Sequence, residues 1–327
     1  MQLRTCSEVY ALLESGHISV TQALKYLREI ELRSQAQGAE PERTTPPSGN
    51  GSPLPTPTLE EVLLELNSLI GLGDIKTLVR EMQAFIHIQK RRQEERLVTE
   101  PLVLHMIFKG NPGTGKTTVA RLLGKILRLM GVLAKGHLIE VERADVVGEY
   151  IGHTAQKTRE QIKKALGGIL FIDEAYALAR GGEKDFGKEA IDTLVKSMED
   201  HKDNLVVILA GYRREMEDFL KTNPGLNSRF PIHVDFKDYC IDELLEIAAH
   251  LLDKKQYRLS TGSVAKLGAI LSQQLHSNRE NFGNARLVRN LIERGIRKQA
   301  LRLFKKERSS RDELMLILPQ DIKAEEE

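Results

Sequence analysis

Residues 110–117 read GNPGTGKT, a G-x-x-x-x-G-K-T spacing that sits after an apolar run and before the amphipathic stretch TTVARLLGKILRLMG. A loop of this kind wraps a phosphate chain with successive backbone N–H groups, and the helix that follows adds the positive end of its dipole. The residues that would meet the phosphates are Gly110, Asn111, Pro112, Gly113, Thr114, Gly115, Lys116, Thr117 and Thr118. Lys116 would bridge the β- and γ-phosphates of ATP, and Thr117 would give its hydroxyl to Mg²⁺.

A site that hydrolyses a bound phosphate chain also needs acids, and ILFIDEA supplies them. Its apolar run reads as a buried strand that ends in Asp173 and Glu174 at the carboxyl edge of a sheet, where open α/β sheets bind ligands. Asp173 is placed to orient Mg²⁺ through its water shell, and Glu174 to accept a proton from the attacking water. Alone, two adjacent acids are an ordinary helix-start signal; a phosphate loop ahead of them turns the reading towards catalysis.

The elements that must position these groups follow from the pattern of apolar residues. From about residue 102 short apolar runs, LVLHMIF, HLIEVE, GGILFID, LVVILAG and IHVDF, alternate with helical segments. That alternation predicts an α/β fold of the P-loop NTPase kind, a parallel sheet with flanking helices. After Tyr239 the runs IDELLEIAAHLLDKK, TGSVAKLGAILSQQLH and NARLVRNLIERGIRKQALRLFKKE read as helices, with ELMLIL as one late strand. The expected organisation is a helical hairpin over 1–37, a Pro/Gly/Ser/Thr-rich linker over 38–58, a nucleotide-binding domain over 59–237, a small helical domain over 238–319 and an acidic tail over 320–327. The hairpin reads as either a packing appendage or a partner-binding module.

Composition narrows the function classes. The 327 residues carry 48 lysines and arginines against 46 acids, a net charge of +2 that gives no whole-molecule field to gather nucleic acid or an anionic membrane. The basic run KRRQEER alternates with acids and reads as a solvated helix face. Cys6 and Cys240 lie far apart with no histidine at ligand spacing, as in a protein with reduced thiols. No run approaches the ~20 apolar residues that span a bilayer, and the N-terminus lacks the apolar core of a secretory signal. The expected location is the cytoplasm.

Several further motifs, VGEYIGHTAQKT, LAGYRREM, NPGLNSRF and FGNAR, join the phosphate loop and ILFIDEAYAL in a wider pattern. Over residues ~60 to 318 the chain resembles the AAA+ ATPases. YIGHTAQKT, DFGKEAI and NPGLNSRF place the likeness in the subgroup of red-type Rubisco activases and stage V sporulation protein K, with the sporulation branch nearer. The resemblance implies a homo-oligomeric ring, commonly a hexamer, with ATP between neighbouring subunits, and a role in spore formation. It implies that Arg229 reaches the neighbour's γ-phosphate as an arginine finger and that Arg286 is the sensor-2 arginine coupling phosphate loss to domain rotation. It also implies that Tyr150, Ile151 and Gly152 form a loop facing the central pore, where an aromatic ring grips a protein substrate. RGGEKDFGKEAI would form a second, more polar pore loop. The pattern departs from the family in two places. AGYRR stands where many members carry a sensor-1 Asn or Thr, so Tyr212 would have to supply the polar group, and the second finger arginine of some relatives is missing beside Arg229. A nucleic-acid motor or loader, and a slow nucleotide switch acting through the N-terminal hairpin, are the competing functions. The first would bring a basic pore loop, a winged-helix tail or a zinc module.

Overall fold

The computed structural model describes residues 57–99, 103–150, 152–180, 186–277, 281–306 and 308–323, all within one compact unit, Thr56–Glu327. The N-terminal hairpin, nearly all of the linker, Ile151, residues 181–185 of the second loop and residues 324–327 lie outside the described residues.

Thr58 opens the first helix, α1 (Leu59–Asn67), with a capping box: its hydroxyl accepts from Glu61 N at 3.2 Å while its own N–H donates to the Glu61 carboxylate at 2.8 Å. Two left-handed residues, Gly71 and Leu72, break the chain before α2 (Gly73–Glu94). The run KRRQEER at the end of α2 is exposed along its length. Next come β1 (Met106–Gly110), α3 (Lys116–Leu129), β2 (Leu138–Val141), α4 (Arg143–Val146), α5 (His153–Ala165) and β3 (Ile169–Ile172). A 3-10 turn at Ala175–Ala179 leads on to α6 (Gly187–Asp200), β4 (Val206–Gly211), α7 (Arg213–Thr222), α8 (Pro224–Asn227) and β5 (Ile232–Phe236).

The five strands form one all-parallel sheet in the order β2-β3-β4-β1-β5. The near-continuous apolar sequences of β3 and β4 follow from burial on both faces, whereas the edge strands β2 and β5 are partly exposed. Met106 and Phe108 of β1 pack with α1, α2 and α3, whereas Ile107 between them packs with α5, α6 and α7, the two-residue alternation of a strand. The order puts β1 inside the sheet, between β4 and the edge strand β5, so the loop leaving its carboxyl end is flanked by the ends of both.

The helical part contains α9 (Ile241–Asp253), β6 (Arg258–Leu259), α10 (Thr261–Ser277), α11 (Asn284–Phe304), α12 (Arg311–Met315) and β7 (Leu316–Ile317). It has its own core around Leu244, Leu252, Leu271, Phe282, Val288 and Leu291. ELMLIL departs from its expected strand: Ser310 caps Glu313 N at 3.2 Å and turns the first half into α12, leaving Leu316 and Ile317 to pair with β6. Packing continues through Asp321 and Ile322, since Arg302 grips both oxygens of the Asp321 carboxylate at 3.0 and 2.9 Å. Among the described residues no helix is long and apolar enough to cross a membrane.

Candidate nucleotide site

Lys116 begins α3, and its ammonium curls back over the loop to donate to the carbonyls of Gly110 and Asn111 at 2.8 and 2.9 Å. Thr114, fully buried, donates its hydroxyl to Asn111 O at 2.8 Å. These bonds fix the ring of backbone around the space that a phosphate would fill. Gly113 has φ +72°, and any side chain there would run into the Gly283 carbonyl and the Arg286 backbone, so the position requires glycine.

The loop is held from the helical side. Asp238, just after β5, accepts from Asn111 Nδ2 at 3.1 and 3.0 Å and from Asn284 Nδ2 at 2.7 Å. Asn284 Oδ1 in turn accepts from Tyr239 N at 2.9 Å, and Ala285 N donates to Gly113 O at 3.2 Å. Asn284 is wholly buried and left-handed at φ 45°, a conformation asparagine tolerates better than most residues.

A cleft of about 290 Å³ lies over the loop. Pro112, Gly113, Gly115, Lys116, Thr117 and Thr118 form its floor, Asp173 and Glu174 one wall, Gly211 and Tyr212 another, and Ala285, Arg286 and Arg289 of α11 the third. Burial lowers the Lys116 pKa; Asp173 and Asp238 oppose that shift and Arg286 reinforces it. A desolvated ammonium facing a guanidinium favours an anion between them. Thr117 and Asp173 could hold a divalent cation. Among the described residues no group of three or more His, Cys, Asp or Glu could hold a metal. With one hydroxyl and one carboxylate offered, a cation there would draw most of its ligands from phosphate oxygens and water, as Mg²⁺ does.

Asp173 Oδ1 accepts from Glu174 N at 3.0 Å, and Glu174 is left-handed at φ 48°, so the turn after β3 presents both acids to the cleft. Tyr176 packs beneath, its hydroxyl pKa raised first by burial and then by the Glu174 carboxylate. The Tyr212 ring lies 6.0 Å from the Tyr176 ring and lines the cleft, at the position where the pattern calls for a polar sensor.

Two groups of expected site residues lie elsewhere. Arg229 is not part of the cleft lining; it pairs with Glu199, and its Nη1 donates to the Gly225 carbonyl at 2.9 Å. Tyr150 is 66% exposed, with an edge-on contact to His153 at 5.6 Å, and Gly152 at φ +82° has open space where a side chain would stand.

Asp238, Asn284 and Arg289 were not foreseen. Arg289 carried a usable signal, since it follows Arg286 by three residues on a helix and must share its face. Asp238 carried none, its partner Asn111 lying 127 residues away, and FGNAR contained Asn284 without showing what it would bind.

Residues 106–238 match the ATPase family associated with various cellular activities (AAA), and residues 241–327 match the AAA lid domain. The chain is 55% identical to stage V sporulation protein K of Bacillus subtilis (strain 168) over 270 residues, 82% of this chain and 84% of that protein. It is 49% identical to Protein CbbX of Cereibacter sphaeroides over 247 residues, 75% of this chain and 79% of that one. Against a Protein CfxQ homolog of Galdieria sulphuraria it is 47% identical over 248 residues, 75% and 81% of the two chains. With more than half its residues shared across four-fifths of its length, and with an ATPase match followed directly by a lid match, the chain belongs to the AAA+ ATPases.

Proposed function

We propose that this ATPase works as a ring of identical subunits, six in the family's common arrangement, hydrolysing Mg·ATP at each interface and using the Tyr150 loops to pull on a protein substrate in the central pore. The observation that carries the reading is the separation of Arg229 from the cleft. Lys116, Arg286, Asp173 and Glu174 converge there, whereas Arg229 lies outside the cleft lining, bonded to Glu199 and Gly225. In this reading Arg229 adds its charge to the cleft of a second copy.

In this reading Lys116 and Arg286 hold the β- and γ-phosphates, while Thr117 and Asp173 would hold Mg²⁺, which supplies charge neutralisation between them. Glu174 takes a proton from water as the water oxygen attacks the γ-phosphorus. The bond from that phosphorus to the bridging oxygen breaks, and its electron pair leaves on ADP. Arg229 of the next subunit neutralises charge on the γ-oxygens, and Tyr212 borders the attacking water. The base takes a second cavity of about 220 Å³ that includes Leu72 and Tyr239; both side chains come within 4 Å of where a Gly115 side chain would begin.

Tyr150 supports the pulling role because a large apolar ring is held out from its own domain on a loop ended by glycine. Ile151, next in sequence, is apolar too. The likeness to the sporulation protein supports a task in spore formation, and the reading places that task in the cytoplasm. Mixing two inactive variants tests the ring. Arg229→Ala subunits retain a complete phosphate site and Lys116→Ala subunits a complete finger, so mixed rings should regain part of the ATPase activity. Co-assembly without recovery would assign Arg229 a role inside its own subunit.

A further inference from the structure

Arg229 does not hang free on its surface. Its Nε and Nη2 both donate to a single oxygen of Glu199, Oε1, at 3.0 and 2.6 Å, and Nη1 donates to the Gly225 carbonyl at 2.9 Å. Glu199 belongs to α6, Gly225 to α8, and Arg229 follows α8 by two residues, so the guanidinium is pinned from two elements that pack in the same core. A guanidinium carries five N–H donors, and these bonds engage three. One N–H is left on each terminal nitrogen, and adjacent N–H groups in a plane match two oxygens of a phosphoryl group.

We propose that Glu199 is the positioning residue for Arg229: it locks the side chain so that its two remaining terminal N–H groups face a γ-phosphate carried by a second copy of the chain. The proposal rests on the reading of Arg229 as a finger acting between subunits. Stability gives little reason for the pair, because its side chains are 35% and 60% exposed and exposed ion pairs add little to folding. Orientation gives a better one. An arginine has several freely rotating bonds, and fixing them before the neighbour docks removes that ordering from the reaction step. Gly225 O settles one terminal nitrogen, but only the carboxylate sets the rotation of the guanidinium plane by holding Nε and Nη2 together. If Glu199 instead sequestered the arginine, its removal would speed the reaction.

The test uses the full chain and four variants, Glu199→Gln, Glu199→Asp, Arg229→Ala and the double Glu199→Gln/Arg229→Ala. For each, kcat at saturating ATP, nucleotide affinity, assembly state and melting temperature are measured. Glu199→Gln should keep affinity, assembly and melting temperature while lowering kcat roughly tenfold to a hundredfold. Glu199→Asp, which keeps the charge, should recover part of the loss. In the Arg229→Ala background the Glu199 change should have no further effect. A Glu199→Gln enzyme as fast as or faster than the parent, beside an inactive Arg229→Ala, would overturn the positioning role and leave the finger standing. An equal loss from Glu199→Gln with and without Arg229 would also overturn it. Unchanged kcat in Arg229→Ala would remove the finger reading and this proposal together.

Discussion

The phenolic hydroxyl of Tyr239 donates to the carbonyl of Thr114 at 3.2 Å, linking residues 125 apart in sequence. The helical part of the protein thereby touches the phosphate loop. Burial, with help from Glu243, pushes the Tyr239 pKa up to about 12, so the donor keeps its proton throughout the physiological range.

Tyr239→Phe removes that donor and leaves the Thr114 carbonyl short of a partner. The expected cost is about 1 kcal/mol, a fall in melting temperature of about 2–4 °C for a unit of this size. Calorimetry on the nucleotide-free protein reads it directly, and an unchanged melting temperature would mean that water replaces the bond at no cost.

Lys116→Ala and Glu174→Gln should separate binding from chemistry. The first removes the charge opposed to the phosphates and should weaken ATP binding about tenfold to a hundredfold. The second leaves binding intact but cannot accept the water's proton, so turnover should fall by about 10²–10⁴. Titration with a fluorescent nucleotide and steady-state phosphate release, measured on both variants, check the pair. Full turnover in Glu174→Gln would reject Glu174 as the base.

Tyr150→Ala should leave the fold undisturbed. A deeply buried tyrosine would cost about 3 kcal/mol or more on truncation, but at 66% exposure the change should stay within about 0.5 kcal/mol. What should be lost is stimulation of the ATPase by an unfolded polypeptide such as casein, with Tyr150→Phe retaining most of it through the ring face. A clearly lower melting temperature with normal stimulation would make the tyrosine a packing residue.

His105 gives the fold a pH dependence. It is buried just before β1, its Nδ1 accepts from Val207 N at 3.1 Å, and burial lowers its pKa from 6.5 to about 4. The unfolded chain binds the proton more readily, so the stabilisation is fully present above pH 6.5 and drains away as pH falls towards 4. The total is about 3 kcal/mol. Melting temperatures between pH 7 and 4.5 should therefore fall more steeply in the parent than in His105→Asn, which keeps an acceptor near Val207 N without titrating.

What the sequence revealed was what local pattern controls. The phosphate loop, the acids after β3 and five apolar strands each lie within one short stretch, so spacing and alternation were enough to find them. The junction of Asn111, Asp238 and Asn284 depends on contacts across more than 100 residues, and no local pattern encodes it. Strand β6 has two residues, too few to show alternation. In ELMLIL, apolar content suggested a strand, but the serine cap just upstream won the first half for a helical turn. Arg229 stood out in its motif, yet its partner Glu199 lies 30 residues earlier on a helix face where one more exposed acid draws no notice.

The bond from Asn284 to Asp238 has a mechanical consequence. Asn284 is the first residue of α11, so this 21-residue helix starts at the phosphate loop and runs away from it. At 1.5 Å per residue it is a lever about 30 Å long, and a turn of about 10° at the anchored end carries the other end through about 5 Å. The far end bears Phe304, 89% exposed, with Leu301 62% exposed one turn before it. If a change at the phosphate loop turned the helix about that anchored end by this angle, its apolar tip would travel about one helical turn.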